Sequence, residues 1–379
     1  MSVLVTGIGL HPFGRFDGTT VTEMGVTAVR AALDDAGDPT FQAAFCGTAY
    51  GGVASGHKVL GSIARTGMPI VDVEAGCASG GAALMLAAAA IEAGQYDTVL
   101  VFGIEKMPKG IIRSSFFEPW REESGLASTP SYFALRAQRL LRESGLTKDD
   151  LAAVVVKNRA HGVLNPNAMF RKPVTAEAVL ESRLVCDPLH LWMLCSPNEG
   201  AAAVVLQRAD APAVSPDARP VRLAAAVLRS HLPGSVLGEA TPLAGIDDAD
   251  ITPPSTLAAD AAYAAAGLGP DDIDVVECQD TDAARELLAW EELRLCAPGE
   301  QPRLLADGAA TIGGTRPVNP SGGLLSKGEP LGASALGQVV ELVQQLRGDA
   351  GDRQVDGART ALAHTVGRGA NASVTILTR

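Results

Sequence analysis

A short apolar strand, Ile70–Val73, runs into a turn of small residues and then into an alanine-rich helix, Ser79–Ala93, closed by Gly94. The apolar stretch inside it, Gly80 to Ile91, is too short to cross a bilayer and fits a helix buried between other elements. The same alternation continues on either side. Val3–Val5 reads as a strand, Val21–Ala36 as a helix ending at Gly37, Ala43–Cys46 as a short strand, and Val99–Phe102 as an unbroken apolar strand. Apolar strands alternating with helices are the pattern of a mostly parallel sheet covered on both faces.

Later segments repeat this logic. Ala201–Leu206 returns as an apolar strand, Thr256–Ala266 and Ala283–Leu295 read as helices, and Val275–Glu277 as a strand. Leu331–Leu346 is a further helix, and Thr360–Ala363 and Ser373–Leu377 read as closing strands. A small-residue turn feeds a helix twice, at Gly76–Gly81 and at Gly328–Ala333, which points to two related halves. At 379 residues the chain is too long for one ordinary core. The reading is an N-terminal half over residues 1–209, a C-terminal half over 210–379, and a proline-rich inserted region at about 105–200 lying over the core. Asp210–Pro220, with three prolines, would connect the halves.

Aromatic residues are only 4%, so the core has to be built from small and aliphatic side chains with backbones close together. A net charge of −12 argues against nucleic acid as a partner, because phosphate binding needs a basic surface. The six cysteines, Cys46, Cys77, Cys186, Cys195, Cys278 and Cys296, are scattered without a C-x-x-C pair. They suggest neither a metal site nor a disulfide framework, and a reducing cytoplasm fits them best. Met1–Gly7 has no basic region, breaks at Gly7, and reads as a first strand rather than a signal peptide. No membrane span is expected.

Cys77 carries the most chemistry. It falls at or just before a helix start, where backbone N–H groups and the positive end of the helix dipole favour a thiolate. The same N–H groups suit the oxyanion formed when a thioester carbonyl is attacked. Gly80 and Gly81 would let a ligand or another backbone come close.

Three strings resemble the thiolase superfamily, most closely its sterol-carrier-protein and lipid-transfer-protein-like branch. They are Gly76-Cys77-Ala78-Ser79-Gly80, Gly103-Ile104-Glu105-Lys106-Met107-Pro108-Lys109-Gly110 and Asn319-Pro320-Ser321-Gly322-Gly323-Leu324-Leu325-Ser326-Lys327-Gly328. Weaker matches are Lys157-Asn158-Arg159-Ala160-His161 with Asn165-Pro166, and Gly200-Ala201-Ala202-Ala203. The resemblance covers nearly the whole chain. It implies an α/β thiolase fold, five-layered αβαβα and built from two similar halves. It also implies Cys77 as nucleophile, an acyl-CoA or acyl-carrier thioester as substrate, no permanently bound cofactor and no metal.

The resemblance places the family's H-D-C-F loop on Gln279-Asp280-Thr281-Asp282 and its G-H-P loop on Gly328-Glu329-Pro330. Its C-x-G falls on Thr365-Val366-Gly367, just after His364. Both histidines of these loops are replaced. A carbon–carbon bond-forming step needs a base for an α-proton and donors for the enolate oxygen, so the altered set argues against degradative thiolase activity.

The expected activity is therefore an acyltransferase. Cys77 takes the acyl group and Glu329 is the base for an incoming acceptor. Gln279 is a donor, Gly367 lends an N–H group, and His364 is the histidine nearest the site. Each has an ordinary structural alternative: a loop acid, a packed amide, a core histidine. Asp280 and Asp282 could form a second acid pair, and the other histidines read as structural or surface residues. Two further activities stand beside this one. One is retro-aldol cleavage of an acyl-CoA thioester with a small zinc-ribbon and oligonucleotide-binding-fold partner protein. The other is a non-catalytic subunit. By resemblance the protein is a homodimer, served by CoA or by an acyl carrier protein.

Overall fold

The computed structural model describes residues 2–109, 120, 123, 129–211, 219–233, 251–367 and 371–379. Gly110, Pro119 and most of the expected Asp210–Pro220 connection lie outside the described residues. The strands are β1 (Val3–Gly14), β2 (Ala43–Gly47), β3 (Ile70–Val73), β4 (Thr98–Lys106), β5 (Leu184–Cys186), β6 (Leu189–His190), β7 (Glu199–Arg208), β8 (Val221–Ser230), β9 (Val275–Cys278), β10 (Thr360–Gly367) and β11 (Asn371–Thr378). The main helices are α1 (Val21–Asp35), α2 (Ser55–Ser62), α3 (Ser79–Glu92), α4 (Thr129–Ser144), α5 (Lys148–Val163), α6 (Ala176–Glu181), α7 (Pro254–Ala266), α8 (Ala283–Glu292), α9 (Gln301–Ala306), α10 (Gly323–Lys327) and α11 (Leu331–Arg347).

Nine strands form one sheet in the order β3-β2-β4-β7-β1-β8-β11-β10-β9. Its seam is the short antiparallel pairing of Val3–Val5 in β1 with β8. Outward from that seam both wings follow one plan: two antiparallel pairings, through β7 and β4 or β11 and β10, then a parallel one to β2 or β9. The halves are thus alike in connection as well as in sequence. Helices α3 and α11 lie between the wings and touch strands of both, while α1 covers the outside of the first wing and α7 the outside of the second. This gives five layers, helix–sheet–helix–sheet–helix. Strand β7 shows why its sequence is unbroken: Ala202, Val204 and Leu206 face the central helices, and Ala201, Ala203 and Val205 face α1. No helix among the described residues is long and apolar enough to cross a membrane.

Three expectations need correction. The sheet is not mostly parallel: five of its eight strand pairings among the described residues are antiparallel, because β1, β7, β8 and β11 join the parallel outer strands through antiparallel neighbours. The first strand does not break at Gly7 but runs to Gly14. Gly7 and Gly9 lie under α1, where a Cβ atom would meet Ala32 O at 2.1 Å and Ala28 O at 2.0 Å. They are sites of close approach, not strand ends. The inserted region is also more regular than its sequence suggests, since it holds the 16-residue helices α4 and α5. In α5 the buried residues include Lys157, Asn158, Arg159 and His161, so polar side chains occupy inward positions and hide the helical period.

The central helices come close to each other and to the sheet because small residues face each other: a Cβ on Gly80 of α3 would lie 3.0 Å from Gly332 O of α11. A Cβ on Gly103 of β4 would lie 2.2 Å from Gly332 O of α11, and one on Gly81 of α3 would lie 2.3 Å from Ser373 Oγ of β11. Gly80 and Gly81 therefore admit neighbouring protein, not a ligand. Gly103→Ala should cost about 1–3 kcal/mol through forced overpacking, read as a lower urea midpoint with unchanged slope. An unaltered midpoint would show that α11 can shift away at no cost.

Candidate active site

Cys77 follows a tight turn set by one glycine and one serine. Gly76 has φ of 60°, a left-handed conformation that suits glycine. Ser79 Oγ accepts from Ala75 N–H at 2.9 Å and donates to Gly76 O at 2.6 Å, tying the turn to the first residue of α3. The N-cap, Ala78, offers no capping side chain to this 14-residue helix, and turn carbonyls take the first amides instead: Ala78 N–H donates to Ala75 O at 3.2 Å and Ser79 N–H to Gly76 O at 3.1 Å. Cys77 is 6% exposed and packs with Met107, Leu331 and Ala49.

The second half repeats the arrangement. Gly328 has φ of 85°, Glu329 follows it, and α11 begins two residues later at Leu331. Cys77 and α3 stand in the same relation after Gly76. The two turns thus present a thiol and a carboxylate from equivalent positions, and Leu331 carries the second helix onto Cys77. Glu105 braces this meeting point. Its buried carboxylate accepts from Ala49 N–H at 2.9 Å, Tyr50 N–H at 3.0 Å and Gly332 N–H at 3.1 Å. Burial raises the Glu105 pKa, and these backbone donors oppose the rise.

Glu329 is 4% exposed and held from two sides. Gln279 Nε2 donates to its Oε1 at 3.1 Å, and the side-chain Oε1 of Gln279 accepts from Val366 N–H at 2.9 Å. Cys195 Sγ donates to Oε2 at 3.3 Å. The 194–198 segment lies between the two altered loops: Cys195 N–H donates to Thr281 O at 2.8 Å, and Glu329 N–H donates to Ser196 O at 2.9 Å. Burial pushes the Cys195 thiol pKa well up, and Glu329, Asp280 and Cys77 add to it through their charges. It therefore remains a donor. Cys195 was not expected here. Its only signal was its place just before the Gly200–Ala203 string in a proline-rich stretch.

Of the expected residues, Gly367 lies against the cysteine turn, where a Cβ would meet Ala75 O at 2.0 Å. His364 does not join the group. Successive residues of β10 face opposite layers: Thr365 Oγ1 donates to Gln338 of α11 at 2.8 Å, whereas His364 Nε2 meets Ser255 Oγ of α7 at 3.0 Å. His364 is a core histidine of the outer layer, and burial, with Arg285 nearby, lowers its pKa to about 3. Cys278 likewise faces away, with Asn319 Nδ2 at 3.8 Å.

Asp280 and Asp282 are not an acid pair. Asp280 accepts from Leu324 N–H at 2.6 Å, Leu325 N–H at 3.1 Å and Asn158 Nδ2 at 2.8 Å. Asp282 is the N-cap of α8 and pairs with Arg136. Beneath them Lys157 pairs with Glu286 at 2.9 Å, and Glu286 also accepts from Asn158 at 2.6 Å and Asn319 at 2.8 Å. Asn319 has φ of 54° and also receives Cys278 N–H on Oδ1 at 2.9 Å, which accounts for the asparagine before Pro320. His161 donates to Asn319 O at 2.9 Å, and its pKa too falls to about 3, chiefly through burial. These strings form the floor that fixes the loops.

Cys77 and Glu329 thus occupy equivalent turns at the starts of the paired central helices of a duplicated five-layered fold. The family described as "Thiolase, N-terminal domain" matches residues 3–210, and "Thiolase C-terminal domain-like" matches residues 243–379. The chain belongs to the thiolase family, on its sterol-carrier-protein and lipid-transfer-protein-like branch. It is 37% identical to an acetyl-CoA acetyltransferase of Methanothermobacter thermautotrophicus, across 100% of this chain and 99% of that protein. It is 35% identical to sterol carrier protein 2 of Gallus gallus, across 99% of this chain and 71% of that protein. A solved structure titled "Ltp2-ChsH2(DUF35) aldolase" superposes with a TM-score of 0.84 at 24% identity, covering 100% of this chain and 97% of that one. Membership makes an acyl thioester the substrate class, with no permanently bound cofactor.

The two buried histidines make a pH test. Both have folded pKa values near 3 against an ordinary 6.5, so the unfolded chain binds protons that the folded chain refuses. Their contribution is complete above 6.5 and declines as pH falls towards 3. His364→Gln should lose less stability than wild type between those values, measured as urea midpoint against pH. An equal loss would mean that His364 is charged in the folded protein.

Proposed function

We propose that the protein is an acyltransferase that loads an acyl group from a CoA or carrier-protein thioester onto Cys77 and passes it to an acceptor activated by Glu329. The observation that carries this is the buried Glu329 carboxylate, gripped by Gln279 and Cys195, in the turn equivalent to that of Cys77. In loading, the sulfur attacks the thioester carbon and the donor thiol leaves with a proton. In transfer, the acceptor's proton goes to Glu329 while its electron pair attacks the acyl carbon. The bond to Cys77 then breaks with its electrons on sulfur, and the proton on Glu329 neutralises the thiolate. Gln279 acts as a donor that aims the carboxylate, and Gly367 keeps the backbone of β10 against the cysteine turn. With a carboxylate and an amide replacing two imidazoles, the set suits transfer better than degradative thiolysis.

The same reading makes the protein a cytoplasmic homodimer paired through the exposed edge of the sheet, where β3 leaves Val71 42% exposed. A small accessory subunit or an acyl carrier protein would complete it. Retro-aldol cleavage needs no acyl group on Cys77, and a non-catalytic subunit needs no thiol there.

Intact-mass measurement after mixing with a panel of acyl-CoA thioesters should reveal an acyl adduct that Cys77→Ala lacks. Glu329→Gln should still load but transfer slower by about 10²–10⁴-fold, the usual worth of a positioned base. If cleavage products form while no thioester ever adds mass to Cys77, the lyase reading replaces this one. If neither occurs and Cys77→Ala keeps its full cellular role, the protein is a scaffold.

A further inference from the structure

We infer that Cys195 is a positioning residue for the transfer step, its S–H group fixing one oxygen of Glu329 while Gln279 fixes the other. The inference rests on the acyl-transfer reading and assigns the specific group that aims the base. A glutamate held by one donor can still swing about its terminal bond; two donors on separate oxygens remove that freedom. Backbone bonds set the pair in place. Cys195 N–H is tied to Thr281 O, Glu329 N–H to Ser196 O at 2.9 Å and Asn198 N–H to Glu329 O at 3.3 Å, and Pro197 and Glu329 form a parallel bridge. The stitched loops thus bring the two residues within side-chain reach, and the rotamers present complete the contact.

A thiol also suits the task chemically. As a weak donor it orients a carboxylate without satisfying it, leaving lone-pair capacity for a substrate proton. A hydroxyl would hold more tightly, and an alanine would not hold at all. Glu329, Asp280 and Cys77 are the groups whose charges bear on this thiol, and all three favour its protonated, donating form.

Two measurements on the full-length protein test the assignment. The first needs no substrate: iodoacetamide alkylation near pH 8, read residue by residue by peptide mass. Glu329→Gln removes the neighbouring charge, so Cys195 should alkylate several-fold faster than in wild type. An unchanged rate would overturn the inference, because the thiol and the carboxylate would not be in contact. The second is single-turnover acyl transfer. Cys195→Ala should slow transfer about tenfold more than it slows loading, and Cys195→Ser should recover most of that loss. Equal losses in both variants, or none in either, would reduce Cys195 to packing. Faster alkylation in Glu329→Gln with no loading of Cys77 by any thioester would instead overturn the acyl-transfer reading, and the role given to Cys195 with it.

Discussion

The close approach of the two central helices to each other and to both wings of the sheet is the constraint on which the molecule depends. Gly80 faces Gly332 and Leu336 of the partner helix, Gly103 faces the backbone of α11, and Gly81 faces β11. No side chain on these glycines would fit at these points, and dense packing leaves little room to relax. This closeness brings the starts of α3 and α11 together, so that Leu331 packs on Cys77 and Ser334 Oγ donates to Cys77 O. The shortage of aromatic residues is the compositional side of the same fact.

A second constraint is the polar floor below the altered loops. Lys157, Glu286, Asn158, Asp280 and Asn319 are buried, and their charges and amides satisfy one another and the backbone of α10. Buried ionic groups are poor sources of stability, since leaving water costs about as much as pairing returns. What such a network supplies here is direction. It pins Asn319 in a left-handed conformation and holds the loop that carries Gln279, so the donor to Glu329 arrives at a fixed angle.

Much of the fold was legible because the strands are apolar on both faces and the helices are punctuated by glycine. The paired turns at Gly76 and Gly328 were visible as strings and proved to be the two central helix starts. Gly7 was misleading, because a glycine under a helix and a glycine ending a strand look alike in one dimension. The helices of the inserted region were hidden by buried polar residues at inward positions. Around the two turns, the strings singled out Cys77, Gln279, Glu329 and Gly367, and the last three lie together by hydrogen bond or close approach to these turns, whereas His364 points to the other layer, a facing that a one-residue shift along a strand reverses. Cys195 joins through a bond 134 residues long in sequence, and no local pattern announces such a contact.

The matching turns of the two halves have a consequence for how such a site can change. On the proposed acyl-transfer reading, the nucleophile and the base ride on separate copies of one structural unit, each set by its own glycine and its own helix. Their separation is governed by how those helices cross, so loops that choose the acceptor can diverge freely while the spacing of the reacting pair stays put. Neither copy alone carries both halves of the chemistry. On that reading a duplicated scaffold becomes a division of labour, with one template yielding an electron-pair donor and the other a proton acceptor.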